Sequence, residues 1–479
     1  MTRAIRLLGD LPPRAVLAVF LGALVVRLAN AYGLAGNAAN FFREDAVLYW
    51  SAAQFVLDHG GFDPPPEGAG ASGRERVPLY ILFVAGMRAL FGDSPIAVVL
   101  AQCAIDAGSC VLIMRLGAFL GPRIGVLSGA LAAIWSNLVV HSAALLSDTL
   151  FVFVFCLALL GGARYLEDAR PARALVAGLL CGAAIMVRTV AQFLPLAMAA
   201  AAPVVALVAR RGLRSGLAAS VLALVGAALT ISPWVYANLR DHGVVALTTQ
   251  EGVHLAAWIL PLVRQSVDGT PHAEGAKLYR DRYVEELRAE GLDPERMAPF
   301  ELSRRLSGKA MADLTAMPTS AVALAWAKGA AINLAAPGIA LDPRIRRARE
   351  GSLYNDTKAS LFGRLGGYFA STSPALRPLI VLGAVLSALT LVLQVVGFAR
   401  LVRHRPWAGA AVFGLILYVL LVTGPIYSPK YRLPLEPILI VLTALGASGL
   451  RRRPHELALP PPSTYVGRAA ARPEQAPRT

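Results

Sequence analysis

Residues 77–91 read Val77-Pro-Leu-Tyr-Ile-Leu-Phe-Val-Ala-Gly-Met-Arg-Ala-Leu-Phe91, and whether this stretch crosses a bilayer or lies on it decides the side of every later segment. It has fifteen residues, whereas about 30 Å of hydrocarbon asks for roughly 20 apolar ones. It also carries Arg88, which suits an amphipathic helix lying along the membrane surface. Ten apolar runs of near-spanning length surround it. They are Ala15 to Gly36, Pro95 to Gly117, Ile124 to His141, Thr149 to Tyr165, Ala174 to Val187, Ala191 to Ala209, Gly216 to Tyr236, Leu376 to Ala399, Ala408 to Pro425, and Leu433 to Leu450. With 77–91 kept at the surface, Arg123, the loop from Arg164 to Arg173, Arg210, Arg211 and Arg214, Arg400, Arg403 and Arg405, and Arg451 to Arg453 share the side of Arg3, Arg6 and Arg14. That is the positive-inside pattern, and counting 77–91 as a span destroys it. The expected fold is an all-α polytopic membrane protein with about ten transmembrane helices and both termini cytoplasmic.

Composition agrees. The chain has 479 residues, 56% apolar and 16% charged, with a mean hydropathy of +0.56. A soluble protein carries about 25% charged residues, so a soluble multidomain enzyme is excluded. The formal charge of +16 falls in short clusters between apolar runs, so it reports orientation and not a nucleic-acid partner. Cys103, Cys110, Cys156 and Cys181 lie inside apolar runs without metal or redox spacing, and read as small core residues. Ala29-Asn30-Ala31 resembles a signal-peptidase site, but the apolar run continues past Arg27, as in a signal anchor.

The organisation follows: 1–36 as N-terminus and first span, 37–94 as a first outer loop, 95–236 as a helical bundle, 237–375 as a second outer loop, 376–450 as C-terminal spans, and 451–479 as a disordered cytoplasmic tail. Gly60 to Gly73, rich in Gly and Pro, is expected to be a hinge or lid. Lys277 to Gly291 and Pro299 to Leu314 have helical periodicity with many charges, as solvated helices on the membrane surface do. No fixed-period repeat supports a solenoid or a repeat-built transporter.

Chemistry is expected on the outer side. Glu44 and Asp45 are adjacent acids just after the first span, with Tyr49 one turn beyond. A carboxylate there takes a proton from a hydroxyl or holds a metal, and equally caps the helix that follows. Asp148, in Ser147-Asp148-Thr149, is an N-cap or a second functional acid on the same side. Arg188 sits where two apolar runs meet, and either snorkels or binds a carboxylate or phosphate. Arg27 invites the same two readings, with snorkelling favoured. Lys430 and Arg432, flanking Tyr431, are cations on the translocated side and candidates for binding an anion. His59, His141, His242, His254 and His272 lack HExxH or other metal spacing and read as ordinary polar surface residues. There is no Walker A loop, no GxGxxG before a helix and no GxSxG, so ATP hydrolysis, nicotinamide chemistry and a serine-hydrolase elbow lose support.

In order, Asp45-Ala-Val-Leu-Tyr49, Arg76-Val-Pro78-Leu79-Tyr80, Leu90-Phe91-Gly92, Leu146-Ser147-Asp148-Thr149-Leu150-Phe151, Gly178 to Arg188, Ser232-Pro233-Trp234 through Asn238-Leu239-Arg240, and Lys430-Tyr431-Arg432-Leu-Pro434-Leu-Glu-Pro437 run along the chain. This arrangement resembles the GT-C type membrane glycosyltransferases of family 39, which include protein O-mannosyltransferases and the lipid A aminoarabinose transferase. The family commonly has an Asp-Glu pair where this chain has Glu44-Asp45 followed by Ala46. The resemblance implies a GT-C fold with two large periplasmic loops. It also implies a sugar donor on undecaprenyl or a similar polyprenyl phosphate, used on the periplasmic or extracellular face of the inner or plasma membrane to build a cell-envelope glycan. The acceptor is a glycolipid, polysaccharide or protein, and neither it nor the hexose or pentose moved is named by the sequence. A divalent metal is left open.

The chemistry such a donor demands fits the residues. Its tail stays in lipid and its phosphate at the interface, so arginine or lysine is needed there, with a carboxylate beside it. Asp45 is the expected base, with Glu44 secondary and Asp148 the second acid. Arg188, with Lys430 or Arg432, would stabilise the departing phosphate, and Tyr49 and Tyr431 would line the pocket. The rival classes are a transporter or lipid flippase with Asp45, Asp148 and Arg188 along its path, and an inactive assembly partner.

Overall fold

The computed structural model describes residues 11–63, 73–347 and 372–448. The tail beyond 448 and most of the Gly60–Gly73 segment lie outside the described residues. Among the described residues there are helices and turns but no strand. Helix α1 (Pro13–Leu34) is followed by α2 (Ala46–His59), α3 (Pro78–Phe91), α4 (Pro95–Ala118), α5 (Pro122–Ala133), α6 (Ser136–Ser142), α7 (Asp148–Asp168), α8 (Pro171–Ile185), α9 (Leu194–Val208) and α10 (Leu213–His242). The segment expected as the second outer loop holds α11 (Gln250–His254) and α12 (Leu260–Val267), joined by a π-turn at Leu255–Ile259, then α13 (His272–Ala289), α14 (Pro299–Ala316), α15 (Thr319–Ala335) and the short α16 (Pro343–Arg347). Helices α17 (Arg377–His404), α18 (Pro406–Thr423) and α19 (Glu436–Ser448) close the described chain.

Seven of the described helical segments, with α9 counted from the 3-10 turn Thr189–Ala191 that precedes it, are long and apolar enough to cross a membrane, and eight if α5 and α6 form one span. These eight coincide with expected runs. The other two runs are shorter as helices: α8 has 15 residues, and α19, preceded by a 3-10 turn at Pro429–Leu435, has 13 described. The protein is a multi-pass membrane protein. On α17 only 11% of the most apolar window is buried, and Val381, Val385, Leu389 and Val392 point outward. So large an apolar surface is stable only against lipid. Where helices meet, small residues let backbones approach. A Cβ on Gly178 of α8 would lie 2.1 Å from the Ala223 carbonyl oxygen of α10, so alanine there would force the two helices apart.

Helix α3 is about 21 Å long at 1.5 Å per residue, too short to span. Arg88, expected on a surface-lying face, is buried instead. It donates to the Trp50 carbonyl at 2.8 Å, pairs with Asp93 at 2.5 Å and lies 4.3 Å from the Trp50 ring, so it binds α3 to α2.

The run Ile124 to His141, expected as one span, breaks at Ile134 and Trp135 with a bend of 50°. No proline causes it. Arg27 supplies the reason, and corrects the snorkelling expectation: it is 0% exposed, pairs with Asp106 at 2.7 Å, and donates to the Ala132 and Ala133 carbonyls at 3.1 and 2.5 Å. These carbonyls lie at the end of α5, where Ala132 keeps only a tightened turn bond from the Trp135 N–H at 3.3 Å, and the guanidinium supplies a further donor to each. On the far side of the break, Trp135 Nε1 and Asn137 Nδ2 each donate to Glu436 at 2.7 Å. The break turns α6 and the following 143–147 segment toward the N-terminal ends of α2 and α7, where the Leu145 N–H reaches the Phe41 carbonyl at 3.0 Å.

The charged helices expected near 277–291 and 299–314 appear as α13 and α14. Lys309 bridges Glu286 and Glu290 at 3.0 and 2.7 Å, while Tyr279, Tyr283 and Leu287 are buried beneath.

Candidate active site

The first acids stand on a turn that backbone strain marks out. Glu44 has φ of 51°, a left-handed conformation uncommon for a side chain other than glycine, asparagine or aspartate and kept only where the surroundings enforce it. Part-buried Arg43 enforces it by donating to the Leu341 and Val140 carbonyls at 2.7 and 2.9 Å. The consequence is that Glu44 and Asp45 diverge to different cations. Glu44 Oε2 lies 2.6 Å from Lys430 Nζ and its Oε1 lies 3.6 Å from Arg346. Asp45 Oδ2 lies 3.2 Å from Arg76, with 42% of the Asp45 side chain exposed. Asp45 occupies the N-cap position of α2, but its side chain accepts no cap hydrogen bond. Its carboxylate is therefore not engaged in capping.

Asp148 begins α7 and is 2% exposed. Its Oδ1 accepts from Arg188, while its Oδ2 is buried with no hydrogen-bond partner. Arg188 therefore has a protein carboxylate as its partner and still keeps 22% of its side chain exposed. The chain delivers it there because the Leu79 N–H, opening α3, bonds to the Met186 carbonyl at 3.0 Å, which sets 76–79 beside 186–188. The Tyr49 hydroxyl lies 3.1 Å from Ser147 Oγ and its ring meets Tyr80 edge to face, so Tyr49 fixes α2 against the start of α7.

Lys430 and Tyr431 come from the 3-10 turn Pro429–Leu435, where Ser428 caps the Lys430 N–H. Asp45, Asp148, Arg188, Lys430 and Tyr431 lie within electrostatic reach of one another. Burial opposes the Glu44 charge, but the ion pair with Lys430 outweighs it and holds the carboxyl below its ordinary value. Burial likewise opposes the Lys430 charge, and Asp148 and Glu44 overcome it, so the ammonium is held more firmly than in water. Burial pushes the Tyr431 hydroxyl up, which keeps it a hydrogen-bond donor at neutral pH.

Arg432 does not join them. It is 7% exposed and donates to Glu436 at 2.8 Å and to the Leu334 and Ala336 carbonyls at 2.8 and 3.0 Å. It closes the C-terminal end of α15 onto α19, where an anion cannot reach it without breaking buried bonds. His141, expected at the surface, is buried, with Nδ1 2.8 Å from the Asn137 carbonyl.

Three residues near the site had no role assigned from the sequence. Arg76 was visible only as the start of a motif, yet a cation two residues before a helix-opening proline on the outer side was a signal. Arg346 arrives on α16, which Arg344 ties to Asn30 at 2.8 Å. His254 lies near Arg76, and burial together with that cation lowers its pKa to about 4. Among the described residues no three His, Cys, Asp or Glu side chains gather to hold a metal ion. Glu44, Asp45 and Asp148 each face a cation instead.

Residues 75–236 match the sequence model of the dolichyl-phosphate-mannose-protein mannosyltransferase family. No curated protein gives a match. Among solved structures the chain is similar to ArnT from Cupriavidus metallidurans bound to undecaprenyl phosphate, at 15% identity and a TM-score of 0.41, covering 91% of this chain and 79% of that one. The apo state of the same protein matches at 14% identity and a TM-score of 0.38, covering 90% and 77%. The likeness to that mannosyltransferase family thus rests on residues 75–236, about a third of the chain.

Proposed function

We infer that the protein moves a sugar from a polyprenyl-phosphate-linked donor to a hydroxyl of a glycolipid, polysaccharide or protein, on the outer face of the plasma or inner membrane. The observation that carries this reading is the convergence of three ion pairs, Asp45 with Arg76, Asp148 with Arg188 and Glu44 with Lys430, at the outer ends of apolar helices. A lipid-linked phosphate needs cations at that depth, and an acceptor hydroxyl needs an accessible base. The family's name points to a donor of the same kind, a sugar on a polyprenyl phosphate.

Of the three carboxylate side chains, that of Asp45 is the most exposed at 42%, against 35% for Glu44 and 2% for Asp148. Asp45 is thus the base: it takes the proton from the acceptor hydroxyl as the oxygen bonds to the anomeric carbon. The bond from that carbon to the phosphate oxygen breaks, and its electron pair stays on the phosphate. Arg188, Lys430 and the Tyr431 hydroxyl meet the charge that develops there. Asp148 acts through Arg188, which it orients. Tyr49 shapes the pocket wall through Ser147, and Glu44 holds Lys430. The test is transfer of a radiolabelled sugar from a polyprenyl-phosphate donor by the purified protein in detergent. Donor turnover with an added membrane extract as acceptor supports the reading. A protein that binds such donors and translocates them without breaking the sugar–phosphate bond contradicts it.

A further inference from the structure

Arg74 lies two residues before Arg76, in the 3-10 turn Gly73–Glu75, and only 5% of its side chain is exposed. Its Nη1 donates to Asn238 Oδ1 at 2.5 Å. Its Nη2 donates to Asp63 Oδ2 at 2.7 Å and to Asp241 Oδ2 at 2.9 Å, and its Nε to Asp63 Oδ2 at 2.9 Å. The guanidinium carbon lies 4.7 Å from the Trp234 ring and 5.9 Å from the Phe62 ring. The main chain is held as well. The Arg74 carbonyl accepts the Thr249 N–H at 3.1 Å, one residue before α11, and the Gly73 N–H donates to the Phe62 carbonyl at 2.9 Å.

Asp63 and the outer end of α10 are thus gathered on the Arg74 side chain, and the start of α11 on its carbonyl. Its charge is met by two carboxylates and its face by an indole, so it has no role as an anion receptor. What it fixes is the backbone from which Arg76 reaches Asp45, with only Glu75 between. A long arginine side chain holds a carboxylate precisely only if its own Cα is held, and a misplacement of about 1 Å in such a site can cost 10²-fold in rate.

We propose that Arg74 is a positioning residue for glycosyl transfer: it sets Arg76 against Asp45 by locking the 73–76 backbone to the outer end of α10 and the start of α11. The proposal rests on the reading of Asp45 and Arg76 as part of the transfer site.

The test compares Arg74→Ala, Arg74→Lys, Asp241→Asn, Arg76→Ala, and the first and third combined with Arg76→Ala, in the full-length protein. Sugar-transfer kinetics are measured well below the unfolding midpoint of each variant. Arg74→Ala is expected to lower kcat/KM at least about tenfold, and Arg74→Lys to recover part of it, because charge returns without the fork. In the Arg76→Ala background, Arg74→Ala and Asp241→Asn should each cost less than about twofold more, since a residue acting through Arg76 has nothing left to position. Asp241→Asn removes one partner and leaves Arg74 in place, so it carries the test if Arg74→Ala fails to fold. Losses that multiply with Arg76→Ala overturn the proposal, as does wild-type kcat/KM in both Arg74→Ala and Asp241→Asn. An Arg76→Ala enzyme as active as wild type overturns the site reading itself and the proposal with it, an outcome recognisable from that single variant.

Discussion

Removing Arg188 should separate two things that this arginine does. Asp148 is 2% exposed, its Oδ1 is held by Arg188, and its Oδ2 has no hydrogen-bond partner. Arg188→Ala therefore leaves a buried carboxylate without its hydrogen-bonded counter-charge, with Lys430 the remaining cation in reach, and breaking such a buried pair typically destabilises by about 3–5 kcal/mol. Because Arg188 is itself 22% exposed, so that water reaches the vacated space, and because Lys430 still offsets the Asp148 charge, the lower end, about 3 kcal/mol, is expected. The same substitution takes a charged hydrogen bond from the donor phosphate, typically about 1.5–3 kcal/mol, or roughly 10- to 10²-fold in kcat/KM. Adding Asp148→Asn should restore most of the stability, since no buried charge remains, and none of the transfer. Thermal unfolding in detergent and donor kinetics read the two effects independently. Full stability in the single variant refutes the buried-charge argument. Recovered transfer in the double variant refutes the role of Arg188 toward the phosphate.

Arg432→Ala should act on stability alone: it strips the counter-charge from Glu436, which is 0% exposed, at a cost of about 3–5 kcal/mol, and donor KM in the surviving folded fraction should match wild type. The pH dependence of unfolding should carry a His254 component. Its pKa falls from 6.5 to about 4 on folding, so the unfolded chain binds the proton first, stability is full above 6.5 and is lost as pH falls toward 4, and His254→Gln should flatten that part of the curve. Orientation is tested with single cysteines, because the chain's own four are buried: Gly212→Cys should react with an impermeant reagent only after permeabilisation, and Ala273→Cys before it.

The helices were legible wherever apolar length or an amphipathic period is a local property, as in the runs that became α4, α7 and α17. What the sequence did not disclose were outcomes set by distant partners. The break between α5 and α6 has no local signal, because Arg27 of α1 and Glu436 of α19 decide it. Arg27 itself looked like a snorkelling residue because Asp106, its partner, lies 79 positions away; an aspartate inside an apolar run was the available hint. Arg432 and Lys430 are two residues apart on a 3-10 turn and point to opposite fates, which charge and sidedness alone could not distinguish. At the site, the sequence named Glu44, Asp45, Tyr49, Asp148, Arg188, Lys430 and Tyr431, and the structure brings their charged groups into mutual reach. It left open whether Asp45 caps α2, because the side chain turns to Arg76, 31 positions on, a partner that no local pattern announces.

The most direct test of the account is sugar transfer by Asp45→Asn, with Glu44→Gln measured beside it. Asp45 makes no cap hydrogen bond, so asparagine should leave folding and donor binding near wild type while removing the proton acceptor. The predicted result is transfer slower by at least about 10²-fold in Asp45→Asn, with a smaller loss in Glu44→Gln through Lys430. Near-normal turnover in Asp45→Asn together with abolished transfer in Glu44→Gln would contradict the account and make Glu44 the base.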